Sequence, residues 1–179
     1  MDLRKKKTLR AIKEAFYELR TAKNLEQISV TELAQKAEIS KATFYLHYRD
    51  IYDLSQQLQQ EVIQLVFSRI EDPMAILTDA MGFMTQMVSA LESEKERIEP
   101  LFSGSQAAAL PINIEVYLKE RIFSYAPQLK DKAKINVYLS YYIQGGYYAY
   151  LENVHKLGYS QVLKVLGEIQ SSFPPLHHK

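Results

Sequence analysis

The 179-residue chain is expected to fold as an all-α protein, on three observations. Apolar residues recur at helical spacing along most of its length. Side chains that cap helix N-termini stand just ahead of these stripes. Period-two alternation bounded by turn residues, the mark of a half-buried strand, is hard to find anywhere.

The elements follow in order. Leu9, Ile12, Phe16 and Leu19 form the stripe of a first helix, with Asn24 expected as a left-handed cap at its end. Ser29 stands three residues before Glu32, the spacing of a reciprocal capping box, and Val30, Leu33, Ala34 and Ala37 then share one helical face. Ser40 is the next N-cap. It opens a short helix over Lys41 to Tyr48, with Ile39 and Phe44 at the spacing of a hydrophobic staple. Asp50, with Asp53 three residues on, caps a long fourth helix whose stripe of Leu54, Leu58, Val62, Leu65 and Ile70 runs toward Asp72-Pro73. Pro and Gly punctuation then predicts helices over 74–91, 93–103, 107–125, 128–156 and 160–171, leaving residues 174–179 as a tail.

Composition narrows the function. With no cysteine, a disulfide framework, a thiolate metal site and a cysteine nucleophile are all excluded. Histidines at 47, 155, 177 and 178 are the remaining soft ligands, and His177-His178 have no carboxylate near them in sequence. No Gly-rich phosphate loop, H-E-x-x-H or G-x-S-x-G is found, so neither an enzyme nor a bound metal or cofactor is expected. Asp2 and the basic run Arg4-Lys5-Lys6-Lys7 occupy the place of a signal-peptide core. The uncharged run Ile135 to Leu151 is too short and too polar to span a bilayer, so a soluble cytoplasmic protein is expected. Net charge is only +1, but it is unevenly placed. Residues 1–49 hold 11 Lys and Arg against 6 Asp and Glu, a net of +5, whereas residues 50–179 hold 11 against 15, a net of −4. A polyanionic partner would be drawn to the N-terminal part.

A two-turn helix is unstable alone and persists only by packing. Ile39, Phe44 and Tyr48 supply an inner face. Lys41, Ala42, Thr43, Tyr45 and His47 are left for the outer one: small residues, hydroxyls and cations at the leading end. A DNA major groove admits such a helix, takes its N-terminal residues at base edges, and offers phosphates to the hydroxyls and cations around it. The closely coupled second and third helices therefore read as a helix-turn-helix. That gives an N-terminal three-helix DNA-binding domain over 1–49, joined by helix four to a helical regulatory and dimerisation domain over 50–173.

The stretch "ISVTELAQKAEISKATFYLHYRDIYDL" resembles the DNA-binding signature of TetR/AcrR-type transcriptional regulators. It matches at Thr31, Ala34, Ala37, Ser40, Thr43, Tyr45, His47, Tyr48 and Leu54. The match is close over residues 8–55 and only architectural beyond them. The resemblance implies phosphate contacts from Thr31, Tyr45 and His47, and base-edge or groove contacts from Lys41, Ala42 and Thr43, with Ser40 at the cap beside them. Two positions depart from the pattern. Glu38 stands where the turn usually has Gly, and Ile51 stands where helix four usually begins with a phosphate-binding Lys.

The same resemblance implies a homodimer on a palindromic operator, repressing transcription, with an effector held in the C-terminal helices. Dimer contacts are expected on the last two helices, at Tyr141, Gly145, Tyr148, Val162, Leu166 and Ile169. Pocket candidates are Phe67, Met84, Phe102, Tyr117 and Tyr142, with Met81 and Met87 beside them, although such stripes are more often core than ligand box. Of 13 tyrosines, 9 lie after residue 116, each bringing a hydroxyl that needs a partner. "FYLHYRDIYDL" and "YYIQGGYYAYLENVHKLGYSQVLKVL" are also similar to a short Gram-positive branch that includes regulators of dihydroxyacetone kinase operons. In that branch a protein can replace the small effector, so the effector is left open in kind. A second reading follows from the two departures: an adaptor of the same fold that acts through a protein partner and binds DNA weakly.

Overall fold

The computed structural model describes residues 3–172; the expected tail, with His177 and His178, lies outside them. The described residues are helical and contain no strand. The α-helices are α1 (Leu3–Ala22), α2 (Val30–Lys36), α3 (Lys41–Tyr45), α4 (Ile51–Phe67), α5 (Ala80–Ser93), α6 (Lys95–Leu101), α7 (Ala109–Tyr125), α8 (Ala133–Leu157) and α9 (Tyr159–Ser171). Short 3₁₀ turns stand before α2, α5, α7 and α8. No helix is long and apolar enough to cross a membrane.

Cap chemistry explains most boundaries. Ser29 Oγ accepts from the Glu32 amide at 3.2 Å, Ser40 Oγ from the Thr43 amide at 3.0 Å, and Asp50 Oδ1 from the Asp53 amide at 2.8 Å. These are the three caps expected. Only half of the first box forms, because the Glu32 carboxylate turns to the Lys23 ammonium instead of the Ser29 amide. Asn24 is not left-handed: its φ is −67°, and its amide donates to Gln27 Oε1 at 3.0 Å, opening a 3₁₀ turn. The expected helix at 74–91 is likewise two pieces. Asp72 caps a 3₁₀ turn over Pro73–Leu77, and Asp79 Oδ1 accepts from the Gly82 amide at 3.0 Å to start α5 afresh.

The chain forms two compact units. The first comprises the residues through Val62 together with Glu94–Leu110; the second comprises Ile63–Ser93 and the residues from Pro111 onward. Packing groups α6 with the N-terminal helices across the expected boundary at 49/50, because α6 lies against α1. Ile12, Phe16, Leu33, Phe44, Leu54 and Leu101 are fully buried in the first unit. Arg20 is buried there too. Its guanidinium donates to the Lys23 carbonyl at 2.8 Å and to the carbonyl and hydroxyl of Ser103 at 3.2 and 2.9 Å, tying α1 to the turn after α6. In the second unit Leu118, Ile122 and Leu139 are fully buried, and α8 packs on α9.

Glu38 sits in the turn between α2 and α3 with φ +53°, the left-handed region in which a side chain costs about 1–2 kcal/mol. Glycine removes that cost and gives back part of it as unfolded-chain entropy. Glu38→Gly is therefore expected to stabilise the first unit by about 0.5–1 kcal/mol, read as a higher urea midpoint at unchanged slope. A lower midpoint would mean that the carboxylate makes a contact worth more than the strain.

Candidate functional site

The α2–turn–α3 segment is built so that alternate demands fall on neighbouring residues. Phe44 is 0 % exposed and Tyr48 4 %, whereas Tyr45, between them, is 56 % exposed with its ring edge-on to Phe44 at 5.6 Å. Packing holds the short helix by Phe44 and Tyr48 and leaves Tyr45 outside. Thr31, Ser40, Lys41 and Ala42 are exposed, and Thr43 and His47 are partly exposed. Ser40 and Thr43 also join hydroxyls at 2.9 Å, which orients both at the start of α3. The helix is shorter than expected. It ends at Tyr45, and the amides of His47 and Tyr48 then turn back to the Phe44 carbonyl at 2.9 and 3.1 Å.

Leu46 was not among the expected site residues, yet it is 80 % exposed. Its position between Tyr45 and His47 was the available signal. Ile51, by contrast, is buried and supplies core. The neighbouring amide of Arg49 donates to Asp53 Oδ2 at 2.9 Å, and that bond, followed by others from Gln57 and Arg49, holds the Asp53 carboxyl below its ordinary value.

Arg4, Lys5, Lys6 and Lys7 lie in the opening turns of α1 and are exposed. A helix N-terminus carries positive partial charge, so cations there are unfavourable by a few tenths of a kcal/mol each, about 0.3–1 at low salt. The first turn of α1 itself holds no acidic residue.

Two phenols of the first unit are held neutral. Burial, then the Glu61 and Asp53 carboxylates, pushes Tyr48 up to about 12; burial also dominates for Tyr17, pushed up to about 12 with Arg97 opposing. The unfolded value is near 10. The stability these phenols contribute is thus intact below pH 10 and is lost as pH rises toward 12. Unfolding midpoints should fall across that window, and the fall should flatten in a Tyr17→Phe, Tyr48→Phe double variant.

The second unit contains a partly open cavity of about 70 Å³ between α5 and α8, with Ile76 and Ile114 of α7 also in its lining. Of the expected pocket residues it brings together Met84 and Tyr142, with Met87. The others lie elsewhere. Phe67 and Tyr117 pack ring on ring at 4.6 Å, and Phe102 is buried in the first unit. Met81 lies against Gly167, where an added Cβ would meet its methyl at 2.8 Å. Phe83, Val88, Tyr147 and Tyr150 line the cavity unforeseen, although Ile143, Gly146, Tyr147 and Tyr150 follow helical spacing on α8. Comparison with family models, curated proteins and solved structures returns no match.

A groove of about 130 Å³ shares Met84, Tyr142 and Gly146 with this cavity and is also lined by Tyr141, Gly145 and Ile169. Around it Val137, Tyr141, Gly145, Tyr148 and Leu151 are exposed along α8, and Val165 and Ile169 along α9. Val162 and Leu166, expected at a dimer contact, are buried within their own unit, whereas Ile169, expected with them, is exposed.

Proposed function

We propose that the protein is a TetR-type transcriptional regulator: a homodimer that binds a palindromic DNA operator, represses the adjoining genes, and is controlled by an effector bound in its C-terminal helices. The observation that carries this reading is the outward presentation of Thr31, Ser40, Lys41, Ala42, Thr43, Tyr45 and His47 around a short α3 pinned from inside by Phe44 and Tyr48. The exposed cations of α1 add a sequence-independent attraction to phosphate. A single head meets one half-site, and two-fold operators call for two heads. The exposed apolar stripes of α8 and α9 are the surface offered for a second copy.

Selection of duplexes from a random pool, at two salt concentrations, tests the reading. A palindromic winner that survives the higher salt is expected, since the phosphate term alone fades steeply with salt. Removal of one phosphate contact by His47→Ala should weaken selected and random duplexes alike while sequence preference is kept.

A second reading, an adaptor that works through a protein partner, is favoured by two observations. Ile51 is buried where the resemblance calls for a phosphate-binding lysine, and Leu46 presents an apolar side chain on the same face. A pool with no enriched site would move the assignment there.

A further inference from the structure

We infer that the cavity between α5 and α8 is a binding site for a neutral, ring-bearing apolar molecule, and that it rejects charged analogues of the same ring. The inference deepens the regulator reading and rests on it only in calling the ligand an effector.

The volume is the first ground. Protein interiors leave few voids larger than a water molecule, and about 10–15 Å³ of such space holds one water. At about 70 Å³ the cavity is several-fold larger. Water is a poor occupant, because it needs two to four polar partners and the walls are mostly methyl, thioether and ring surfaces. An apolar guest loses nothing there and gains close contact with the walls.

The walls supply the second ground. No Asp, Glu, Lys, Arg or His lines the cavity, so a charged guest would shed its hydration with nothing to pair with. The lining is almost wholly apolar, and Tyr142, Tyr147 and Tyr150 turn mainly ring surface to it. Burial raises all three phenols above their ordinary value; behind them the Asp79 carboxylate acts on Tyr142 and the Glu92 carboxylate on Tyr150. An anionic guest thus meets desolvation and like charge together. Met84 and Met87 bring flexible, polarisable side chains that re-fit around a ring.

Entry is the third. Cavity and groove are both partly open and share Met84, Tyr142 and Gly146, so Met84 and Tyr142 lie where the two hollows adjoin. A Cβ added at Gly146 would lie 3.4 Å from the Met84 methyl, and its absence leaves that thioether room to swing.

Three ligands with one ring and three charges provide the test: benzyl alcohol, benzoate and benzyltrimethylammonium, titrated into the full chain without DNA. The methionine methyl resonances report, assigned through Met84→Leu and Met87→Leu. Benzyl alcohol should shift the Met84 and Met87 signals saturably and leave Met74 still, while both ions bind at least tenfold more weakly. Val88→Phe should fill the space and abolish the shifts. Should that variant not fold, Ile114→Phe fills it from the opposite wall. No response to benzyl alcohol would overturn the site, and so would an unchanged titration in either folded variant. Benzoate or the ammonium binding as well as the alcohol would overturn the ligand class, the latter in favour of a cation held on tyrosine faces. Because no DNA is present, failure here leaves duplex selection untouched, and failure of selection leaves this titration standing.

Discussion

Phe44→Ala is expected to destabilise the first unit by about 3–5 kcal/mol, the usual loss for a fully buried phenylalanine, and to abolish every function of its outer face. The ring is 0 % exposed and is packed by Tyr48 at 5.6 Å between ring centres. α3 has five residues, far below the length at which a helix holds itself in water. Its persistence therefore depends on this anchor and on the Ser40 cap, worth about 1 kcal/mol. Thermal unfolding followed by circular dichroism measures the effect. A loss below about 1 kcal/mol would mean that the surroundings collapse into the space, and α3 would then owe its position to something other than Phe44.

Local chemistry made the N-terminal half legible and left much of the rest hidden. Ser29, Ser40 and Asp50 announce helix starts because a cap is decided within four residues. The departure at Glu38 could be read as strain from the turn alone, and its positive φ follows. The same locality misleads at Asn24, where the side chain that favours a left-handed cap also favours an extended N-cap. Pocket membership is decided at long range. Periodicity states that Phe67, Tyr117 and Phe102 are buried but not against what, and two of them bury one another while the third belongs to a different unit. The grouping of Glu94–Leu110 with the N-terminal helices hangs on Arg20, an arginine in an apolar helix face whose partners lie 83 residues away. Nothing near Arg20 in sequence signals it.

Tyr45→Ala and Lys41→Ala are expected to do the opposite of Phe44→Ala: leave stability within about 0.5 kcal/mol, as for most exposed positions, while specific DNA affinity falls. The two residues are exposed on the outer face of α3, and neither side chain makes an internal hydrogen bond or ion pair in the structure. A base-edge contact is worth about 1–3 kcal/mol, so losing Lys41 should weaken the selected site by roughly five- to 150-fold and relax preference at one position per half-site. Losing Tyr45, a phosphate contact in this reading, should weaken selected and random duplexes alike. The pair is separable for that reason: one changes which sequence is bound, the other how tightly any sequence is bound. Competition binding against selected and scrambled duplexes, with melting curves on the same preparations, distinguishes them. Unfolding of either variant would place core residues on the face assigned to DNA. Unaltered affinity in both, with the fold intact, would remove α3 from the DNA interface and leave its exposed side chains, Leu46 first among them, to a protein partner.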